Sequence, residues 1–483
     1  MQKDRKRSKK TDEPVLQMEG RVVDRLFIEE PPVWFLQNGE VNPEWLSVCE
    51  EERNQTKCLL KAVSSFKQMS QAWQQVKRNK GTSGLDKQTI EEFAEWYYQN
   101  WETLSKSLLS GVYEPSPVKQ VEIPKGQNKV RTLGIPTVKD RVVHQAIQKV
   151  LQSHYEPKFS ESSYGFRPKR GAHQAIKQAS IYIKSGKTYI VDIDLENFFG
   201  EVNQDRLMWL LSTRIGDKSL LRLIRKILRA GILSEGLSQQ GVKGTPQGSP
   251  LSPLLSNIVL DELDQELERR GLSFVRYADD VQIFVGSQAS AERVMRSIRN
   301  FIENRMLLKV NKIKSGIRRP PSSIFLGYGF MWDGSLRLSR RSEVRLKSKI
   351  KAITSRKRGV SFQQILLELR QSLSGWMNYF KFAKMKRKLQ DIDGWMRRRL
   401  KSFRLKQCKR AISIANYLQK LGVSKNLSWR TALSGKGWWR LANSPAIAIG
   451  MTNQWFLEQG FYSLLENYKR HFVNCTPKKP PYT

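Results

Sequence analysis

Hydrophobic positions along this chain change period several times, and each change predicts a different element. Val118-Lys119-Gln120-Val121-Glu122-Ile123-Pro124-Lys125 alternates apolar with polar residues, the two-residue period of a strand. A turn at Gly126-Gln127-Asn128 returns it through residues 130–136, and a helix is expected over 140–151. Tyr189-Ile190-Val191 opens a buried strand that then carries Asp192, Asp194 and Glu196 before Phe198-Phe199. Gly244-Thr245-Pro246-Gln247-Gly248-Ser249-Pro250 is a Gly/Pro-punctuated loop, and Leu255, Val259, Leu263 and Leu267 form one face of the helix it opens. Residues 274–285 are apolar and aromatic on both sides of Asp279-Asp280, which reads as two strands or one bent strand.

Upstream, a helical stretch from Phe66 leads into a Gly-rich turn at 79–86 and a second helix over 88–101. A basic, aromatic loop, Ser163-Tyr164-Gly165-Phe166-Arg167-Pro168-Lys169-Arg170-Gly171, precedes a helix over 173–184. Beyond Phe330 the pattern turns helical and strongly basic, with cations at nearly every second position over 381–388 and 397–409. Trp429-Arg430 and Lys436-Gly437-Trp438-Trp439-Arg440 interleave aromatics with cations, a composition suited to stacking on unpaired bases, although each Trp taken singly is more often core. Residues 1–60 are polar, with Pro31-Pro32-Val33-Trp34-Phe35 as their dense apolar cluster, and suggest no function. No internal repeat appears.

Charge narrows the partners. The 483 residues hold 84 Lys+Arg and 45 Asp+Glu, a net +39, and +25 of it falls in residues 341–483. Such a surface attracts a polyanion and releases its counterions, so nucleic acid is the expected partner. No apolar run reaches membrane-spanning length, and the basic N-terminus lacks the hydrophobic segment of a secretory signal. The four cysteines and four histidines are scattered, without zinc-site or disulfide spacing.

The acids are the chemistry. Asp279-Asp280 amid apolar strands is unfavourable unless a cation offsets the desolvation. Carboxylates presented together suit paired magnesium ions in phosphoryl transfer. A hairpin with Asp-Asp at its tip is the plainer reading, although Asn or Gly is the usual residue there. Asp192 and Asp194 share one strand face, so periodicity does not choose between them.

With the strand of Asp194, the Thr245 to Leu255 loop, the Asp279-Asp280 box and Phe325-Leu326-Gly327-Tyr328 in order, the chain resembles a reverse transcriptase. It is most similar to the maturase-type enzymes of bacterial group II introns, from about Phe66 to Tyr468, and Ser374-Gly375-Trp376-Met377-Asn378-Tyr379-Phe380 resembles their thumb/maturase signature. The resemblance implies an α+β right-hand polymerase. Its limits are an N-terminal extension over 1–60, fingers and palm over 61–335, an α-helical thumb/maturase region over 336–412 and a small basic DNA-binding-like region over 413–483.

It also implies that Asp194, rather than Asp192, joins Asp279 and Asp280 as catalytic, metal-holding carboxylates for two Mg²⁺ ions. Lys125, Arg131, Phe199, Gln247 and Lys314 match nucleotide-site residues, Phe199 being the one that refuses a 2′-hydroxyl. Arg141 reads better as a surface charge. Relatives commonly carry Asp where this chain has Gly200, outside the ligand set. Lys381, Lys384, Arg387, Arg397, Arg398 and Arg399 are the candidates for binding nucleic acid. The implied activity is RNA-directed DNA synthesis with intron RNA binding and splicing in support of retrohoming. Its partners would be intron RNA, an RNA template with DNA primer, deoxynucleoside triphosphates and target DNA, in a cytoplasmic bacterial ribonucleoprotein. The 75 residues after Cys408 contain one His and one Cys, which points to the compact lineage without an endonuclease. A splicing cofactor with vestigial polymerase, or a host-recruited enzyme of repair or defence, are the other readings.

Overall fold

The structure is a computed structural model describing residues 50–473 apart from 127–128, 231, 235–236, 240–243 and 245–247. In chain order the elements used below begin with the hairpin β1 (Val118–Gly126) and β2 (Lys129–Ile135), then α1 (Val138–Tyr155), α2 (Ala172–Lys184) and β3 (Tyr189–Asp194). Short strands β4 (Ile232–Ser234) and β5 (Leu237–Gln239) precede α3 (Ser252–Arg269), β6 (Ser273–Tyr277) and β7 (Asp280–Val285). β8 (Gly316–Arg318), β9 (Ile324–Phe325), β10 (Tyr328–Phe330) and β11 (Leu336–Leu338) lead to α4 (Phe362–Phe380), α5 (Lys386–Cys408) and α6 (Leu464–Val473). This is a mixed α+β chain, as the resemblance implies, whose described residues end in helices. Among the described residues no helix is long and apolar enough to cross a membrane.

Two compact units divide the chain, and both are discontinuous: residues 1–153 with 202–258, and 154–201 with 259–483. In the first, the sheet runs β2-β1-β4-β5, with β1 antiparallel to β2 and parallel to β4. Helix Ile90–Leu109 starts at a reciprocal cap, where Thr89 N donates to Glu92 Oε2 (2.8 Å) and Glu92 N to Thr89 Oγ1 (3.2 Å). Arg141, read from sequence as a surface charge, is instead buried. Its guanidinium donates to Thr82 O at 2.5 Å and fills the space beside Gly81, so it fastens the Gly-rich turn.

The second unit carries a sheet ordered β6-β7-β3-β8 and a smaller one ordered β11-β10-β9. β9 and β10 join through Leu326 and Gly327, both at positive φ (50° and 84°), the conformation a two-residue hairpin tip requires. One hydrophobic core runs from α2 (Ile176, Ala179, Ile183) through Ile190 and Phe284 to Ile365, Leu369, Leu373 and Met377 of α4 and Leu389, Met396 and Leu400 of α5. These helical residues recur every three or four positions, which is why the sequence period survives into the fold. Polar pins lock the same core. The Tyr379 carbonyl accepts from His173 Nε2 (2.7 Å) and from Tyr328 Oη, while Tyr379 Oη donates to Leu326 O at 2.9 Å.

Asp393, buried on α5, accepts from Ser463 Oγ (2.8 Å) and from the backbone N–H groups of Leu464 and Leu465 (3.0 Å each), capping α6 from another helix. Asp393→Ala leaves three donors without an acceptor. It is expected to destabilise the chain by about 1–3 kcal/mol, read as a lower unfolding midpoint, with Asp393→Asn intermediate. Unchanged unfolding of the Ala variant would remove the cap from the stability of α6.

Candidate active site

β3 and β7 are antiparallel and in a register that sets Asp194 opposite Asp280 and Asp192 opposite Gln282. β6 pairs with β7 up to Tyr277 opposite Asp280, so Ala278 and Asp279 are the two residues of the tip. The Asp-Asp pair is therefore on a hairpin, Asp279 in the tip and Asp280 in the first strand pair after it. Ala278 sits at φ +59°, a left-handed conformation that disfavours a side chain, so something must hold it there.

Three contacts hold it. Arg276, fully buried on β6, forms a fork with equally buried Asp264 of α3 (Nε to Oδ1 2.7 Å) and donates from Nη1 to the Ala278 carbonyl at 3.1 Å. The Ser163 loop pairs with β6 through Tyr164 N to Arg276 O and Arg276 N to Ser162 O, 2.9 Å each. Within that loop Gly165 lies so close that a Cβ on it would stand 2.3 Å from Ala278 N. Arg276, Asp264 and Gly165 did not figure among the sequence candidates. The available signals were a cation inside a buried strand, and an acid on the apolar face of a helix beside Leu260 and Leu267.

Each acid has a different environment. Lys314 Nζ lies 2.9 Å from Asp194 Oδ1 and 3.3 Å from Oδ2, in a loop tied down by Asn311 N to Asp194 O (2.9 Å) and Asp194 N to Ser315 Oγ (3.0 Å). Arg318 Nε pairs with Asp192 at 2.9 Å, and burial raises Asp192 against that cation's pull. Burial first, and then the Asp192, Asp279 and Asp194 carboxylates, push Asp280 up to about 8. With Lys314 and Arg318 engaged in this way, no three His, Cys, Asp or Glu side chains among the described residues converge on a common metal position. The donor set nonetheless fits hard divalent cations: carboxylate oxygens only, crowded enough that one acid retains its proton near neutral pH.

Phe199 lies on the short helix Phe198–Glu201, half-buried and edge-on to Phe198 at 5.5 Å between centroids. A Cβ at Gly200 would meet the Asn197 side-chain amide at 2.3 Å, so an Asp there requires Asn197 to rotate. Lys125 and Arg131 lie on β1 and β2, Arg131 opposite Ile123, with side chains outside the described residues; Gln247 falls wholly outside them.

The C-terminal cations divide into two kinds. Lys384 and Arg387 are exposed, and Lys381 rests over the Phe382 ring at 5.4 Å. Arg397 is half-buried near Asp393. Arg398 donates to Trp439 O (3.1 Å) and lies over that Trp's ring at 4.2 Å, while Arg399 donates to Thr354 Oγ1 (2.6 Å) and Lys351 O (3.1 Å). The last two guanidiniums are occupied in packing helices together.

Residues 123–330 match the family described as reverse transcriptase (RNA-dependent DNA polymerase), and residues 344–421 match the group II intron, maturase-specific domain. The chain is 32% identical to Protein YkfC of Escherichia coli (strain K12), over 56% of this chain and 80% of that one. It is 29% identical to the group II intron-encoded protein LtrA of Lactococcus lactis subsp. cremoris, over 59% of this chain, and spans 57% of LtrA's length. Among solved structures, telomerase from Candida albicans in complex with a telomeric RNA fragment is similar with a TM-score of 0.39 at 14% identity, over 65% of this chain and 64% of that one.

A carboxyl held above its unfolded pKa stabilises the fold below the ordinary carboxylate range, near pH 4, and loses that contribution as pH rises through about 8. Asp280→Asn removes the ionisation. In metal-free buffer the variant should therefore unfold later than the parent, by a margin that widens from about pH 5 to about pH 8 by roughly 1.4 kcal/mol per pH unit, several kcal/mol in all. Thermal unfolding in chelator across that window measures it. A constant margin would mean that Asp280 ionises as an ordinary carboxylate.

Proposed function

The chain belongs to the group II intron-encoded reverse transcriptases, RNA-directed DNA polymerases that carry a maturase-specific domain, and we propose that Asp194, Asp279 and Asp280 are its catalytic carboxylates. The observation that carries this reading is the β3–β7 register, which brings Asp194 opposite Asp280 at the end of two strands while Asp279 occupies the adjoining tip. Enzymes of this family use divalent metal ions, and RNA template and intron RNA are partners of the two matched domains.

The finer assignments belong to the proposal. The metal is Mg²⁺, two ions held by the three aspartates. When bound, they would lower the pKa of a primer hydroxyl and offset charge on the leaving pyrophosphate. To hold the ions, Asp194 would have to release Lys314 and Asp280 would have to give up its proton. Asp192 stays with Arg318 as a structural acid. Phe199, held edge-on by Phe198, stands beside the deoxynucleotide sugar and excludes a 2′-hydroxyl. Lys125, Arg131 and Gln247 contact the incoming triphosphate, and Lys314, once released, joins them. Gly200 is tolerated because it lies outside the ligand set.

Along the chain we assign fingers and palm to 61–335, thumb and maturase to 336–412, and a DNA-facing region to 413–483, with 1–60 as an extension. Lys381, Lys384, Arg387 and Arg397 are the RNA-facing cations of the helical region, and Arg398 and Arg399 support them through packing. The partners are intron RNA, a DNA primer on RNA template, deoxynucleoside triphosphates and target DNA, in a cytoplasmic ribonucleoprotein.

Asp279→Ala and Asp194→Ala are expected to lower Mg²⁺-dependent cDNA synthesis below about a hundredth of the parent rate, because loss of a metal ligand costs several kcal/mol in the transition state. RNA affinity should stay nearly unchanged, since phosphate contacts by distant cations supply most of it. Primer extension and filter binding on the same preparations separate the two; a robustly polymerising variant would overturn the assignment.

Phe199→Ala should admit ribonucleotides while retaining deoxynucleotide incorporation. The readout is the ratio of kcat/KM for the two nucleotide kinds. An unchanged ratio would place Phe199 in the core and outside the sugar site.

A further inference from the structure

His144 is a buried histidine that the chemistry described above does not use. It lies on α1, one turn beyond Asp140, and its Nδ1 is hydrogen-bonded to Ser249 Oγ at 2.9 Å. Ser249 is buried as well, and its Oγ also accepts from Leu251 N at 3.2 Å, just ahead of α3. Burial lowers the imidazole to about 4 against the pull of Asp140, so the ring is neutral at working pH and one of its nitrogens can accept. Nε2 has no partner among the described residues. Packing alone would favour an apolar side chain here, because an unpartnered buried nitrogen costs stability.

Beside this pair the backbone closes against β2. Gly248 sits at φ +127°, and a Cβ on it would stand 2.4 Å from Gly134 O. A Cβ on Gly134 would in turn meet Val118 Cγ2 of β1 at 2.8 Å, and Gly134 lies three residues beyond Arg131. The start of α1 is fastened to the same corner. Thr137 Oγ1 donates to Asp140 Oδ2 at 2.6 Å, and Ser116 N donates to that oxygen at 3.2 Å. All of these residues belong to the first compact unit. Two glycines only permit the close approach of loop and strand; a hydrogen bond one residue further on can hold it.

We propose that His144 is a positioning residue for nucleotide binding: through Ser249 it clamps the loop at Gly248 onto β2, and so steadies the hairpin that carries Lys125 and Arg131. The proposal rests on the triphosphate reading of that hairpin and deepens it by naming what fixes it. His144 touches neither the carboxylates nor, on this reading, the nucleotide. Its loss should therefore weaken nucleotide capture and leave the chemical step nearly intact, a change in KM with little change in kcat.

The test is steady-state primer extension by the full chain, with the deoxynucleotide varied at saturating primer and template. Ser249→Ala and His144→Leu should each raise the nucleotide KM about fivefold, the worth of one hydrogen bond, with kcat within about twofold. His144→Asn can present a polar atom near the place of Nδ1, and should bring KM back to within about twofold of the parent. The double variant should be no worse than Ser249→Ala alone, since both substitutions break one bond. Unfolding midpoints check every variant, and if His144→Leu does not fold, Ser249→Ala and His144→Asn carry the test. A parental KM in folded Ser249→Ala, an Asn variant as impaired as Ser249→Ala, or additive effects in the double variant would overturn the clamp. Arg131→Ala is the reference. A raised KM there beside parental values in the clamp variants would sink the clamp alone, whereas a parental KM in Arg131→Ala would overturn the triphosphate reading on which it rests.

Discussion

Asp194 and Asp280 face each other across one antiparallel strand pair, with Asp192 and Asp279 close by, so negative charge accumulates at the end of β3 and β7 faster than protein groups neutralise it. Lys314 and Arg318 each take one carboxylate. Asp280 has neither, and burial among its neighbours keeps its proton on to about pH 8. Among the described residues the cluster is thus balanced by one proton and two cations.

That charge is useful only if its geometry is fixed, and the fixing is done from behind. Arg276 and Asp264 are both fully buried, and such a pair contributes little net stability once desolvation is counted. What it supplies here is position. The guanidinium, already gripped by Asp264, reaches the carbonyl of Ala278 and holds the tip in a left-handed conformation that Ala does not favour. Gly165 allows the neighbouring loop to press against the same tip, where any Cβ would collide with the backbone. Tip, loop and helix therefore form one rigid backing for Asp279 and Asp280.

In the helical region, charge content and charge availability differ. Arg398 and Arg399 contribute to the long-range field that draws a polyanion in, but part of each guanidinium donates within the protein, to Trp439 O and to Thr354 and Lys351. Lys386 and Arg387, exposed at the start of α5, have no ion-pair partner among the described residues.

The sequence by itself determined the elements, because strand and helix periods are local properties: β1 with β2, α1, α2, β3 and the Asp279-Asp280 hairpin all fall within a few residues of where the pattern places them. The kind of chemistry was legible through the ordered motifs that resemble a reverse transcriptase, since the paired acids alone fit a hairpin tip as well, and the nature of the partner through net charge. Which acid stands opposite which was decided by tertiary structure alone. Asp192 and Asp194 share a face, so periodicity alone does not separate them; the β3–β7 register sets Asp194 opposite Asp280, Lys314 of the loop before β8 pairs with Asp194, and Arg318 of β8 pairs with Asp192. The pairing of Arg276 with Asp264 and the approach of Gly165 to Ala278 were not legible for the same reason: they span 12 residues or far more, where spacing carries no signal. Arg141 read as a surface charge and Arg399 as a nucleic-acid-binding candidate because composition counts charges and not their neighbours. Local periodicity comes from backbone geometry that each segment settles alone, whereas pairing, burial and satisfied donors are properties of two segments at once.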